Sequence, residues 1–477
     1  MQIDEEYFKT EDFRELLDSY EASINAGTTP FMDADDLVDI ADYYSFYGDM
    51  EKAEEAIDCA LQLYPHATLP NVFKARQALA DNDFAKAREF AEVIESRDDP
   101  DYHYLQAEIL IAEGRTAEAD RYLRDYGMTV DADEYEDFIR DCANLYIDYG
   151  ISDKAYEWMM RSRGDDSDDF KELMARTLFG LGKYKDSERL WGELIDRNPY
   201  SKQYWNALAS TQFMSEDYSG AITSSEYAIA IDPQDPEGIL SKANGLFRLN
   251  NYEEALTYYK RYTDMMPDDE FGLLHQGVCL VNLGRNEEAL ELLDAALVIA
   301  AEDSPFLVQI YQELAFCYSA LKNPQKALAM LDKTETLDCD HVDMMVIRGH
   351  ILLENDQLHR AEEAFKAAIM QSDNAPGVML RIIVSLYDNR YVNACYQMLL
   401  KFFAFVHDYA PDFKGGHAYM ALCCYDLGRM DEFMKHLKLA VKESPQESHM
   451  VLGCLFPQDT DVQDYYSYME KHLNSKP

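Results

Sequence analysis

Small residues recur along this chain about every 34 residues, and that recurrence limits the fold more than any other feature of the sequence. Ala53, Ala87, Ala119, Ala155, Ser187, Ala221, Ala255, Ala289, Ala327, Ala361 and Ala394 each fall in the first turn of an apolar-periodic segment, and Phe433 takes the twelfth place. The spacings run 34, 32, 36, 32, 34, 34, 34, 38, 34, 33 and 39. Twelve residues before each lies a second marker: Ala41, Ala75, Ala107, Ala143, Ala175, Ala209, Ala243, Gly277, Ala315, Gly349, Ile382 or Ala421. Two helices approach closely only where both contact residues are small. The paired markers therefore locate the crossing point of an antiparallel helical hairpin. Self-similarity at this period means stacked hairpins, each needing a neighbour to bury its apolar face.

Between the markers sit residues that tolerate the left-handed turn conformation: Gly48, Gly114, Gly150, Gly182, Gly284 and Gly428, with Asn82, Asn250 and Asn389 elsewhere. The clearest unit is Ser201–Asp235, carrying Trp205, Leu208, Ala209, Tyr218, Ala221, Ala228 and Pro233. The first carries Leu37, Ile40, Ala41, Tyr44, Gly48, Ala53, Ala60 and Pro65. This pattern resembles the tetratricopeptide repeat family. The resemblance implies an all-α fold, an α/α superhelix that is a right-handed solenoid of antiparallel hairpins.

Three segments follow. Residues 1–33 are read as an N-terminal capping helix, with Phe13, Leu16, Leu17, Tyr20 and Ile24 on one stripe between Thr10 and Ala26. Residues 34–447 are the array of about twelve hairpins. Residues 448–477 are C-terminal capping helices, with a capping box at Thr460–Gln463 and a stripe of Val462, Tyr465, Tyr466, Met469 and Leu473. Extra residues near 300–308 and 404–416 are expected to lengthen two linkers and kink the array. Ile382 and Phe433, large at crossing positions, are expected to splay the last hairpins.

The net charge is −47. Such an excess repels phosphate backbones and anionic lipid surfaces, so neither nucleic-acid binding nor membrane insertion is expected. Residues 1–170 carry 44 acids against 15 bases, and the remainder 46 against 28. A partner with a basic surface is thus steered toward the N-terminal third. Nine cysteines occur without a C-x-x-C pair, which suits a reducing compartment. The beginning is acidic and lacks an apolar core for a secretory signal, and no apolar run reaches the ~18 residues a membrane span needs. A cytoplasmic location is the simplest expectation.

The chain shows no P-loop, no dinucleotide-binding glycine fingerprint, no G-x-S-x-G and no H-E-x-x-H. No catalytic residue, cofactor or metal site is assigned. Asp131–Asp137 alternates oxygens but lacks the glycine of a calcium loop. Asp165–Asp169 reads as helix-capping chemistry, His359 with Glu362 and Glu363 as a solvated face, and Trp191 with Trp205 as core packing. A metal- or small-ligand-binding regulatory protein, or an enzyme hidden in the array, is the alternative to an interaction scaffold. An RNA-binding helical repeat is a third class, opposed by the charge.

The resemblance implies that the first helix of each hairpin lines a concave groove and that its outward positions bind peptides or partner proteins. Those positions include Arg76, Arg140, Asn144, Arg176, Asn206, Ser210, Phe213, Asn244, Phe247, Arg248, Asn282, His350, Tyr387 and Tyr425. Asn can bond peptide backbone, Arg can grip a carboxylate, and rings supply contact area. The four arginines could form a positive groove in an acidic shell, or pair with acids on adjacent hairpins. Arg140 and Asn144 match the first part of a carboxylate clamp for chaperone tails, but Leu173 stands where the next Asn is needed. The expected role is a non-enzymatic scaffold that binds a protein or peptide.

Overall fold

The computed structural model describes residues 5–457 and 460–474, and among them every regular element is a helix. Two compact units divide the chain, Met1–Ile231 and Asp232–Pro477.

Unit 1 opens with a short helix α1 (Glu5–Phe8) and α2 (Glu11–Asn25). Six hairpins follow: α3 (Ala34–Phe46) with α4 (Met50–Leu63), α5 (Thr68–Ala80) with α6 (Phe84–Val93), and α7 (Pro100–Ala112) with α8 (Thr116–Gly127). Then come α9 (Tyr135–Asp148) with α10 (Ser152–Met159), α11 (Asp168–Gly180) with α12 (Tyr184–Arg197), and α13 (Lys202–Met214) with α14 (Tyr218–Ile231).

Unit 2 holds α15 (Pro236–Arg248) with α16 (Tyr252–Met265), α17 (Glu270–Asn282) with α18 (Asn286–Ile299), and α19 (Leu307–Ala320) with α20 (Pro324–Lys333). It continues with α21 (His341–Glu354) and α22 (Leu358–Gln371), α23 (Pro376–Asp388) and α24 (Val392–Tyr409), and α25 (His417–Asp426) and α26 (Met430–Glu443). Helices α27 (Pro445–Leu452) and α28 (Tyr465–Asn474) complete it.

Aspartate starts many of these helices. Asp33, Asp49, Asp83, Asp99, Asp235, Asp269 and Asp340 each accept a backbone N–H of the first turn, as do Ser167 and Ser201. An acidic cap satisfies an otherwise unpaired donor and suits the positive helix end. Part of the chain's acid excess is therefore spent on local structure.

Every hairpin turns through one residue of positive φ: Gly48, Asn82, Gly114, Gly150, Gly182 and Glu216 in unit 1, and Asn250, Gly284, Lys322, Asp356, Arg390 and Gly428 in unit 2. Each stands five residues before the crossing residue of the second helix, which is small in all but the twelfth hairpin, and this corrects the eleventh. Arg390 (φ +67°), not Asn389, takes the left-handed turn. Cys395, not Ala394, is then the crossing residue; it is buried while Ala394 is exposed. Its partner is Ile383, not Ile382. Cys395 stands 34 residues after Ala361, in step with the repeat, and a buried cysteine serves as the small crossing residue beside an exposed alanine.

The markers meet where expected. The Ser187 hydroxyl donates to the Ala175 carbonyl at 2.8 Å. All the other small markers through Ala361 are buried as well. At two crossings the first-helix residue also faces the residue sixteen further on. A Cβ on Gly277 would stand 2.7 Å from Leu293, and one on Gly349 would overlap the ring of Phe365. Glycine at those two crossings makes room for a bulky partner.

The ends differ from expectation in detail. Thr10 caps α2 and Ala26 ends it, but α1 adds a turn whose Phe8 packs edge-on to Tyr43 at 5.4 Å. On α2, Phe13 and Tyr20 are buried while Ile24 is exposed. At the far end, α27 crosses the expected boundary at 447, so the last hairpin closes at Glu443. Asp461, not Thr460, caps the next turn by accepting from Gln463 N at 2.9 Å, and that turn is 3-10. Tyr465 and Met469 seal the terminal core, Tyr465 stacking on Phe456 at 3.8 Å. The insertion at 404–416 extends α24 to 18 residues before a linker forms; the one at 300–308 is a true linker.

Candidate functional site

Within each unit the first helices pack directly on one another: α3 on α5, α5 on α7, α7 on α9 and α9 on α11, then α17 on α19, α19 on α21 and α21 on α23. Within a unit, a second helix packs between the first helix of its own hairpin and that of the next, as α4 does on α3 and α5. First helices thus stand in direct contact along much of each unit, the side expected to line the concave groove.

The arginines on unit 1's row are already engaged. Arg76 Nε donates to Glu108 Oε2 at 2.9 Å. Arg140 pairs with Asp165 and Asp137. Arg176 lies 3.9 Å from Asp148. All three meet acids, on adjacent hairpins except for Asp137, so no positive groove forms. Asn206 is a correction: it is 2% exposed and does not face a groove. Trp205 is another: it is only half-buried, its indole N–H donating to Pro199 O at 2.9 Å and its ring stacked on Tyr227 at 4.4 Å. Ser210 and Phe213 are half-buried, Phe213 meeting Tyr218 edge-on at 5.3 Å, and Asn144 is half-buried as well.

In unit 2, Asn244 accepts from Tyr259 Oη at 2.7 Å, and Phe247 packs on Tyr252 at 5.4 Å. Arg248 is exposed, and Asn282 Nδ2 donates to Val278 O of its own helix at 2.9 Å. His350 Nδ1 lies 3.5 Å from Asn389 Nδ2. Tyr387 Oη donates to Asp426 at 2.6 Å, and Tyr425 packs on Phe433 at 5.5 Å.

What selection by residue type missed is the acid on the same register. Asp42 follows the crossing residue Ala41 just as Arg76 follows Ala75. Asp35, Asp39, Asp42, Asp101 and Asp141 stand on the first helices of hairpins 1, 3 and 4. Burial, reinforced by Asp39, pushes the Asp42 carboxyl up to about 6. Burial also raises Asp35, helped by Asp33, Asp39 and Asp99; Asp101, helped by Asp99; and Asp141, against a lowering hydrogen bond from Tyr104. Tyrosines stand among them: Tyr7 Oη donates to Asp39 at 2.8 Å and Tyr104 Oη to Asp141 at 3.0 Å. Like charges held this close, partly out of water, maintain a strong negative potential.

Among the described residues no group of three or more His, Cys, Asp or Glu side chains is arranged to hold a metal. Asp165 and Asp166 are consumed by Arg140, Lys171 and Arg197, and His359 with Glu363 is an exposed pair at 3.5 Å. No helix among the described residues is long and apolar enough to cross a membrane.

Stacked antiparallel hairpins with small crossing residues define an all-α repeat protein. Comparison with protein families gives the repeat its name: the tetratricopeptide repeat matches residues 173–236 and again residues 270–340. Residues 173–236 and 270–340 are thus tetratricopeptide repeats, and hairpins of the same helix–turn–helix build stand on either side of them. No curated protein sequence matches it. Among solved structures it is similar to yeast Tom70 at 15% identity, covering 93% of this chain and 99% of that one with a TM-score of 0.42. It is also similar to TTC0263, a thermophilic tetratricopeptide protein of Thermus thermophilus, at 23% identity over 39% of this chain and 100% of that one, with a TM-score of 0.31. A tetratricopeptide repeat protein of Parabacteroides merdae shares 13% identity over 52% of this chain and 96% of its own, with a TM-score of 0.41.

Proposed function

We propose that the protein is a non-enzymatic interaction scaffold whose unit 1 holds a basic segment of a partner protein along its inner row of first helices. One observation carries this reading. The row's arginines are spent on internal ion pairs, while Asp35, Asp42, Asp101 and Asp141 stand with their carboxyls raised by burial. Lysine or arginine side chains arriving there would relieve the repulsion and form charge-assisted hydrogen bonds. Tyr7 and Tyr104 offer ring faces for the alkyl stems and cationic heads. Complementary charge of this kind speeds encounter and selects against acidic partners.

Fluorescence polarisation with a labelled octalysine peptide tests the reading. The full chain should bind it with an affinity that falls steeply with added salt. The variant Asp39→Asn/Asp42→Asn/Asp101→Asn/Asp141→Asn should bind at least about tenfold more weakly. Equal binding by both proteins would remove unit 1's row from the account.

A further inference from the structure

The inner row of unit 2 differs in kind from that of unit 1. It carries rings, Phe247, Phe271, His275, Phe316 and His350, beside the carboxyls of Glu313 and Asp388, both raised by burial. His275 stacks on Phe271 with centroids 3.9 Å apart, and Phe247 meets His275 edge-on at 6.2 Å. Phe316 meets His350 edge-on at 6.4 Å. Glu313 stands in this row on α19, one helical turn before Phe316 and two residues before the crossing residue Ala315.

Glu313 is half-buried, and among the described residues no hydrogen bond or ion pair reaches its carboxylate. Burial alone pushes the carboxyl up to about 7, with no cation to draw it back. Other partly buried acids are matched inside the protein, Glu108 by Arg76, Asp165 by Arg140 and Glu354 by the Ser319 hydroxyl, whereas among the described residues Glu313, like Asp42 in unit 1, is not. A partly buried carboxylate without a partner is costly, so its partner is to be sought outside the chain.

We propose that Glu313 anchors a lysine or arginine side chain of a peptide segment lying along the inner row of unit 2, with the neighbouring rings taking that segment's apolar residues. This rests on the scaffold reading above and adds a second contact of different chemistry. The occupant follows from charge complementarity. An ammonium or guanidinium group supplies the missing donors in a charge-assisted bond, its stem lies over apolar surface, and aromatic faces attract the cation further. A neutral donor would leave the ionised carboxylate without a counter-charge.

Panning a random dodecamer library, displayed on phage, against the full chain tests the assignment. Wild type should enrich sequences with lysine or arginine beside apolar residues. Synthetic peptides from that pool should lose about tenfold or more in affinity for Glu313→Gln, read by fluorescence anisotropy, and as much when the peptide's cationic residue is replaced by norleucine. Binders indifferent to Glu313→Gln but weakened by the four-asparagine variant of unit 1 would overturn the anchor and leave the scaffold standing. Recovery of no binder at all would overturn both. The Glu313→Gln protein should melt no lower than wild type at pH 8. A clear drop would mean that Glu313 is satisfied within the protein, and the anchor would fall.

Discussion

A methyl group on Gly349 would lie inside the ring edge of Phe365, the residue that faces it across the tenth hairpin. The ring is 7% exposed and belongs to the core that joins α21 and α22 to their neighbours, so it has little room to withdraw. Gly349→Ala should therefore destabilise by about 1–3 kcal/mol through overpacking. Adding Phe365→Leu should recover part of the loss. Urea denaturation of the two variants decides it: equal stability of Gly349→Ala and wild type would mean the hairpin does not cross at this residue.

The corrected register of the eleventh hairpin makes a sharper contrast. Cys395→Leu puts bulk at a fully buried crossing and should cost about 1–3 kcal/mol. Ala394→Leu, one residue away on the exposed side, should change stability by less than about 0.5 kcal/mol. Ala221→Trp should behave like Cys395→Leu, since Ala221 is also fully buried. If Ala394→Leu proved the more damaging of the adjacent pair, the register would have to move back.

Glu108 connects three hairpins. Its side chain is 12% exposed, it accepts from Arg76 at 2.9 Å, and its other oxygen lies 3.5 Å from Tyr149 Oη. Arg76→Ala strands that carboxylate and should cost about 1–3 kcal/mol. Replacing Glu108 by Gln as well should return much of the loss. A double-mutant cycle measures the coupling, and a coupling energy near zero would contradict the pairing.

Acid should weaken the twelfth hairpin. His417 Nδ1 and His436 Nδ1 lie 3.0 Å apart beside the ring of Phe403, an arrangement that accommodates one proton between two neutral imidazoles. Burial holds the His436 pKa down to about 4, and His417 adds to the effect. The folded value lies below the unfolded one, so the unfolded chain binds more protons in acid. This stability is full above pH ~6.5 and is lost as pH falls through that value toward 4. The melting temperature of wild type should fall further than that of His436→Gln between pH 7 and pH 4.5. Parallel pH profiles would exclude the pair as the cause.

Much of the fold was legible because one steric demand repeats twelve times. A small residue at nearly every crossing and a left-handed residue at each turn leave a mark that survives wide variation elsewhere. Where the mark blurred, the reading slipped: Cys395 beside Ala394 is nearly as small, and Asn389 beside Arg390 looks like the better turn residue. Insertions were ambiguous for another reason. Extra residues can lengthen a linker or a helix, and the apolar run through Phe405 let α24 continue. The candidate site was less legible. Position in the repeat gave the inner row, but Asn206 turns out buried, and the arginines are taken up by acids that only folding brings near. Glu313 left no trace in the sequence, because whether a carboxylate finds a partner is decided only by folding.

The turns carry a final implication. Glycine or asparagine takes the left-handed position in eight hairpins, but Glu216, Lys322, Asp356 and Arg390 take it in the others. An ordinary side chain there costs about 1–2 kcal/mol. Three of those four lie in consecutive hairpins, the ninth to the eleventh, and in a repeat array each hairpin leans only on its neighbours. Native-state hydrogen exchange should find unit 2 opening first through α19–α24, and Lys322→Gly with Asp356→Gly should slow that opening. This stretch, which also carries Glu313, is where unit 2 can give way locally while its other hairpins stay folded.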